Sequence, residues 1–192
     1  SEPYRADIAI VGGGLAGVVT ALELLDEGAE ADILILGRDR PERFGGLARE
    51  AFGGMFFVGT PEQRKSGFHD SVELAWQDWQ AFAGYGHGER WPREWGRAYV
   101  ERCTDEVYRW VRERGVRFLP VVNWVERGHY TPGNSGPRMH MVWGTGLHLA
   151  ETMVRHLRRH PRADRVRVVF DHRVEGLTAS GGRVTGCRGR RE

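Results

Sequence analysis

The sequence predicts an α/β protein with a parallel central sheet held between two layers of helices, and three observations carry that expectation. A short apolar run, residues 7–11, ends in three glycines and leads into Leu15, Val18, Val19, Leu22 and Leu25 at helical spacing. A second run, Ile33-Leu34-Ile35-Leu36, is apolar at every position, as a strand covered on both faces should be. The two runs are separated by one helix length, and a strand-helix-strand unit of this kind crosses over right-handedly almost without exception.

The remaining elements follow in order. Gly28 closes the first helix with a left-handed cap. Residues 37–60 are rich in glycine and arginine with little periodicity, which predicts a long loop, and long loops in compact domains are usually functional. A helix is predicted over 71–82, with Ser71 as N-cap and Leu74, Ala75, Trp79 and Phe82 on one face. Another runs over 93–114 through Trp95, Tyr99, Val107, Trp110 and Val111 to Gly115. The aromatic residues of both are assigned to the core. Residues 116–125 read as extended, with Pro120 making an edge or broken strand, and 128–137 as a polar, turn-rich excursion. A strand over 139–142, a helix over 147–159 behind the turn Gly144-Thr145-Gly146, and a strand over 166–170 come next. Residues 173–179 and 183–188 flank Ser180-Gly181-Gly182 as a β-hairpin. With no internal repeat and no linker, residues 1–192 are expected to form one domain.

A chain of 192 residues with 40% hydrophobic content is long and apolar enough to bury a core. No apolar run approaches bilayer length, and the opening residues lack the basic flank and apolar stretch of a signal peptide, so the expectation is a soluble, cytoplasmic protein. Cys103 and Cys187 stand in unrelated contexts without metal-ligand spacing, which predicts reduced thiols and no metal site. Net charge is +2, and Lys65 is the only lysine. The arginines of 155–167 read as solvated charge at a helix end and the turn after it. His156 and His160, four apart, belong to the same exposed face. The expected partner is therefore a small-molecule substrate, with no nucleic acid and no membrane; self-association is left open.

Chemistry concentrates in Gly12-Gly13-Gly14-Leu15-Ala16-Gly17, which satisfies G-x-G-x-x-G between a predicted strand and a predicted helix. In that setting Gly12 makes the tight turn, Gly14 lets the backbone approach a pyrophosphate, and Gly17 allows close helix-strand packing. The N–H groups at the helix start, around Leu15 and Ala16, face the anion without any basic side chain. The acidic residue that usually holds ribose hydroxyls about twenty positions on is replaced by Gly37, followed by Arg38. Two readings follow: Arg38 accepts a 2′-phosphate and the cofactor is NADP, or backbone and water hold the ribose, with Asp39 reaching back.

The loop after the second strand adds Gly45-Gly46-Leu47 and Ala51-Phe52-Gly53-Gly54-Met55. With these, the chain resembles the flavoprotein family of fumarate reductase and 3-ketosteroid dehydrogenase. It is most similar to a bacterial subgroup of FAD-binding dehydrogenases through Pro61-Glu62-Gln63-Arg64, Leu74-Ala75-Trp76-Gln77-Asp78-Trp79 and Trp143-Gly144-Thr145-Gly146. The likeness extends over nearly the whole chain. It implies a Rossmann-like FAD-binding domain, with Gly45, Gly46 and Leu47 near the dinucleotide and Ala51, Gly53 and Gly54 bringing backbone under the flavin ring. It also implies that the backbone of Val174 pairs with the adenine. Phe52 departs from the family, which has small residues there. The implied reaction is dehydrogenation of a carbon–carbon bond next to a carbonyl in a small organic or steroid-like molecule, or its reverse. Family members continue into a substrate-capping domain and a return to the FAD domain, so the fragment is expected to lack most catalytic residues. Within it, Tyr130 and His140, with His129 nearby, are the candidates for relaying the accompanying proton. The rivals are an NADP-dependent reductase and a nucleotide-binding module without catalysis.

Overall fold

The computed structural model describes residues 3–121 and 132–192. In chain order its elements are β1 (Ile8–Val11), α1 (Leu15–Asp26), β2 (Ile33–Leu36), β3 (Gly54–Phe56), α2 (Pro61–Lys65), α3 (Val72–Ala83), α4 (Arg90–Arg102), α5 (Arg109–Glu113), β4 (Met139–Met141), α6 (Thr145–Arg159), β5 (Val166–Val169), β6 (His172–Ser180) and β7 (Arg183–Arg191). They fall into two compact units, one of residues 1–51 with 146–192 and the other of residues 52–145. Among the described residues, no helix is long and apolar enough to cross a membrane.

The first unit is built on a parallel sheet in the order β1-β2-β5. β2 lies in the middle, with Ile33 opposite Ile8 on one side and Val166 on the other. All four of its residues are buried, which explains why its sequence is aliphatic without alternation. α1 turns Val18, Ala21, Leu22 and Leu25 inward, and α6 does the same with Leu149, Ala150, Met153, Val154 and Leu157. Gly28 ends α1 at φ +85°, the left-handed geometry expected of it. β6 and β7 form the predicted hairpin, longer than the sequence suggested. Its turn places Gly181 and Gly182 at φ +57° and +77°, a pair of positive angles that matches the twist of the flanking strands.

In the second unit β3 and β4 pair antiparallel. α3 starts as predicted, with Ser71 Oγ accepting from the Leu74 N–H at 3.2 Å. The helix expected over 93–114 begins earlier, at Arg90, and is interrupted by a π-helical turn over Cys103–Tyr108. At that turn the Thr104 hydroxyl donates to the Val58 carbonyl and accepts from the Val58 N–H, so the irregular turn doubles as a tether. The extended stretch after Gly115 is held beside β4 by Leu119 N–H to Met141 O and Trp143 N–H to Arg117 O. α2 was not anticipated. It is started by a capping box in which the Thr60 side chain accepts from the Gln63 N–H and the Gln63 side chain accepts from the Thr60 N–H. Phe57, Tyr108, Phe118 and His140 pack edge to face and stacked in the centre, with ring centroids 5.3 to 6.4 Å apart.

Candidate functional site

In the first unit, the glycine motif leaves the end of β1 and turns at Gly12, φ +114°, whose N–H donates to the Leu36 carbonyl at 2.8 Å. Gly14 is the N-cap of α1; no side chain caps this end, and no acidic residue lies in the first turn. The first-turn N–H groups at Leu15, Ala16 and Gly17 therefore have no acceptor within the helix, and the helix dipole adds partial positive charge there. A β-carbon built on Gly12 or Gly14 would meet nothing within 4 Å, so open space lies over both. Gly17 faces the other way: its β-carbon would fall 2.1 Å from the Gly12 carbonyl oxygen, and glycine there is a packing requirement. Gly17→Ala is accordingly expected to lower the unfolding midpoint in urea and to lose flavin only through unfolding.

The first glycine pair of the loop lies directly on this motif. Gly45 forms a parallel bridge to Gly14, and its N–H donates to the Gly13 carbonyl at 2.9 Å. A β-carbon on Gly46 would come 2.8 Å from Gly14 Cα, so the two glycine stretches can touch only as bare backbone. Leu47 follows with 76% exposure, and Ala51 accepts from the Gly146 N–H at 2.9 Å. The result is an open strip of backbone at a helix start, with the room and the donors for a pyrophosphate.

Gly37 is buried at the end of β2, its N–H bonded to the Val169 carbonyl and its own carbonyl to the His172 N–H. Arg38 and Asp39 are exposed beside it, and the Asp39 carbonyl accepts from Asp171 N–H at 3.3 Å. Val174 lies two residues beyond His172 on β6, opposite Gly189 and next to a register shift. A β-carbon on Gly37 would make ordinary contacts of 3.5 Å with Phe170 and Val169. Gly37→Glu should thus fold normally and retain or tighten flavin binding, read as flavin per chain after purification; loss of flavin would mean that the end of β2 does not face ribose.

The second unit carries the other glycine pair. Gly53, at φ +79°, accepts from the Val142 N–H at 3.0 Å, and Gly54 pairs with Met141. Beside them opens a cavity of about 630 Å³ whose walls include Phe52, Gly54, Phe56, Trp79, Phe82 and Met139. Its polar edge includes Arg138 and Asp78. Arg138 is buried with Asp70, to which its Nε and Nη2 donate at 2.7 and 2.8 Å, and its Nη1 donates to Asp78 at 2.6 Å. Ser135 also donates to Asp78 from both its N–H and its hydroxyl. None of this charge cluster was singled out by the sequence, because its members are separated by up to 68 positions.

The catalytic candidates divide. Tyr130 and His129 lie outside the described residues. His140 is fully buried, its Nδ1 against the Arg138 carbonyl at 2.9 Å and its Nε2 2.6 Å from Thr60 Oγ1. A carbonyl only accepts, so Nδ1 carries a proton, and Nε2 is bonded to the threonine hydroxyl. The expectation that His140 faces substrate is therefore corrected: both ring nitrogens serve the core of this unit. Tyr99 and Tyr108 are likewise held protonated, both pushed up to about 12, first by burial and then by the neighbouring Cys103 and Glu62 respectively. His160 is paired with Asp26 at 3.2 Å.

A parallel α/β sheet with two bare glycine stretches crossing at an uncapped helix start defines a dinucleotide-binding protein. The chain belongs to the FAD binding domain family, whose model matches residues 7–191. It is 45% identical over 188 residues to a KsdD-like steroid dehydrogenase of Mycolicibacterium smegmatis, covering 96% of this chain and 34% of that protein. It is 30% identical over 191 residues to an NADH:fumarate oxidoreductase of Klebsiella pneumoniae, covering 98% of this chain and 18% of that protein. The chain thus spans about a third of the length of its steroid-dehydrogenase relative. Among solved structures, Mycobacterium smegmatis Sdh1 superposes with a TM-score of 0.76 at 18% identity, over 98% of this chain and 31% of that one. The 3-ketosteroid Δ1-dehydrogenase of Sterolibacterium denitrificans does so with 0.70 at 15% identity, over 97% and 44%. These share the fold. The cofactor of the family is FAD, and the first unit fits it by the open space at Gly12 and Gly14 and by the backbone donors at the start of α1.

Proposed function

We propose that the protein is a FAD-dependent dehydrogenase that acts on a carbon–carbon bond next to a carbonyl in a small organic or steroid-like substrate. The observation that carries this reading is the cavity of about 630 Å³ beside Gly53 and Gly54, walled by aromatic rings and edged by charge. That is the lining an apolar, ring-containing molecule with a polar end requires. The 45% identity to a protein named a KsdD-like steroid dehydrogenase points the same way.

In this reading FAD, when bound, supplies the hydride chemistry. The chain's own residues hold and orient. The first-turn N–H groups of Leu15, Ala16 and Gly17 would receive the pyrophosphate, and Gly12, Gly14, Gly45, Gly46 and Leu47 would shape the open strip of backbone on which it lies. Gly37, Arg38 and Val174 border the adenosine end. Phe56, Trp79 and Phe82 exclude water from the substrate, which strengthens every polar contact made there. The protein works in the cytoplasm on a small-molecule substrate.

The test is anaerobic mixing of the full-length flavoprotein with androst-4-ene-3,17-dione while the flavin absorbance is followed. Substrate-dependent bleaching is expected. Absence of bleaching with this and other cyclic enones or saturated ketones would reject the dehydrogenase reading in favour of a nucleotide-binding module without catalysis.

A further inference from the structure

Phe52 is a large ring in an unusual place. It directly precedes the Gly53–Gly54 pair, is 59% exposed, and forms part of the cavity wall. Its ring is folded back over Gly54: a β-carbon there would lie 2.4 and 2.7 Å from Phe52 Cε2 and Cζ, and 3.4 Å from Met139 Sδ. The flank of Gly54 that lacks a side chain is thus already covered by an aromatic ring, and Gly54 is glycine partly because Phe52 occupies that volume. Phe52 and Gly54 act as one element, a bare backbone with a flat apolar cover.

We propose that Phe52 is a specificity-determining residue of the substrate site, setting how thick a substrate can be at the end that lies on this loop. The proposal rests on the reading of the cavity as that site. A flat, sp²-rich ring can lie on the Phe52 face at van der Waals distance. A ring carrying a substituent on the same face must displace the Phe52 ring from its place over Gly54. A single methylene misfit in an apolar pocket is worth about tenfold or more in discrimination.

The experiment compares two probes that differ by one angular methyl beside the enone ring, androst-4-ene-3,17-dione and its 19-nor analogue. Dissociation constants are measured by calorimetry on full-length flavoprotein, with flavin per chain as a check of folding. In Phe52→Ala the ratio of the two constants is expected to move about tenfold toward the methyl-bearing probe, with flavin content unchanged. Should Phe52→Ala lose flavin, Phe52→Leu, which keeps an apolar side chain but not the flat ring, gives the same comparison. Ala83→Trp, a second wall position, separates the two claims. If Ala83→Trp weakens both probes while the ratio in the Phe52 variants stays that of the native protein, the role of Phe52 is overturned and the cavity stands. If neither substitution alters the binding of either probe, the cavity is not the substrate site and both claims fall.

Discussion

Gly14→Val should abolish FAD binding, weakening it by at least about a hundredfold, or about 3 kcal/mol, while the fold survives. The reasoning is geometric. Gly14 has φ −79° and ψ 179°, an extended conformation that valine adopts without strain, so the N-cap of α1 is preserved. A β-carbon there meets no protein atom within 4 Å, so the added branches project into the open space over the helix start. That space is where the pyrophosphate must lie to receive the first-turn N–H groups. The purified variant should be colourless, with the circular-dichroism spectrum and urea midpoint of native apoprotein. A full flavin complement would show that the anion does not sit at this helix. Gly17→Ala, three residues on, should do the reverse, because its β-carbon points at the Gly12 carbonyl.

Arg138→Leu is expected to destabilise the second unit by about 3–5 kcal/mol. Asp70 is left with its side chain fully buried and its principal cation gone, although the Gln63 amide at 3.1 Å and the Ser71 N–H at 3.0 Å still donate to it. Changing Asp70 and Asp78 to asparagine together with Arg138→Leu should recover part of the loss, since an apolar or neutral cluster avoids burying an unpaired charge. The same cluster gives a pH dependence. Burial tends to raise the Asp78 carboxyl, but hydrogen bonds from Ser135 and Arg138 outweigh it and leave it below its ordinary value. A depressed carboxyl contributes stability that is present above its unfolded value, about 4, and is lost as pH falls through its folded one. Urea midpoints should therefore fall on acidification below about pH 4, less steeply in Asp78→Asn.

The strand-glycine-helix turn was legible in the sequence because everything it needs is local. A strand, a glycine turn and the start of a helix occupy residues 8–17, and the period of the apolar residues fixes which side of each faces inward. The hairpin was legible for the same reason, through Gly181 and Gly182. What escaped depends on contacts between distant positions. His140, in the run Met139-His140-Met141, can be read as a ligand-facing or as a satisfied core residue; the decision rests with Thr60, eighty positions away. Asp70, Asp78 and Arg138 look like three ordinary surface charges until the fold brings them together. The capping box at Thr60 and Gln63 was present as Thr-Pro-Glu-Gln, but the helix it starts is five residues long and carries no period. The second unit left no linker in the composition because the chain departs and returns at one point, where Ala51 and Gly146 are hydrogen bonded.

The most direct measurement of the central claim is an absorbance spectrum of the purified full-length protein in the near-ultraviolet and visible, followed by denaturation and identification of the released chromophore. The geometry of residues 12–17 and 45–46 predicts flavin bands and one FAD per chain in the supernatant. A colourless protein that FAD cannot reconstitute would contradict it.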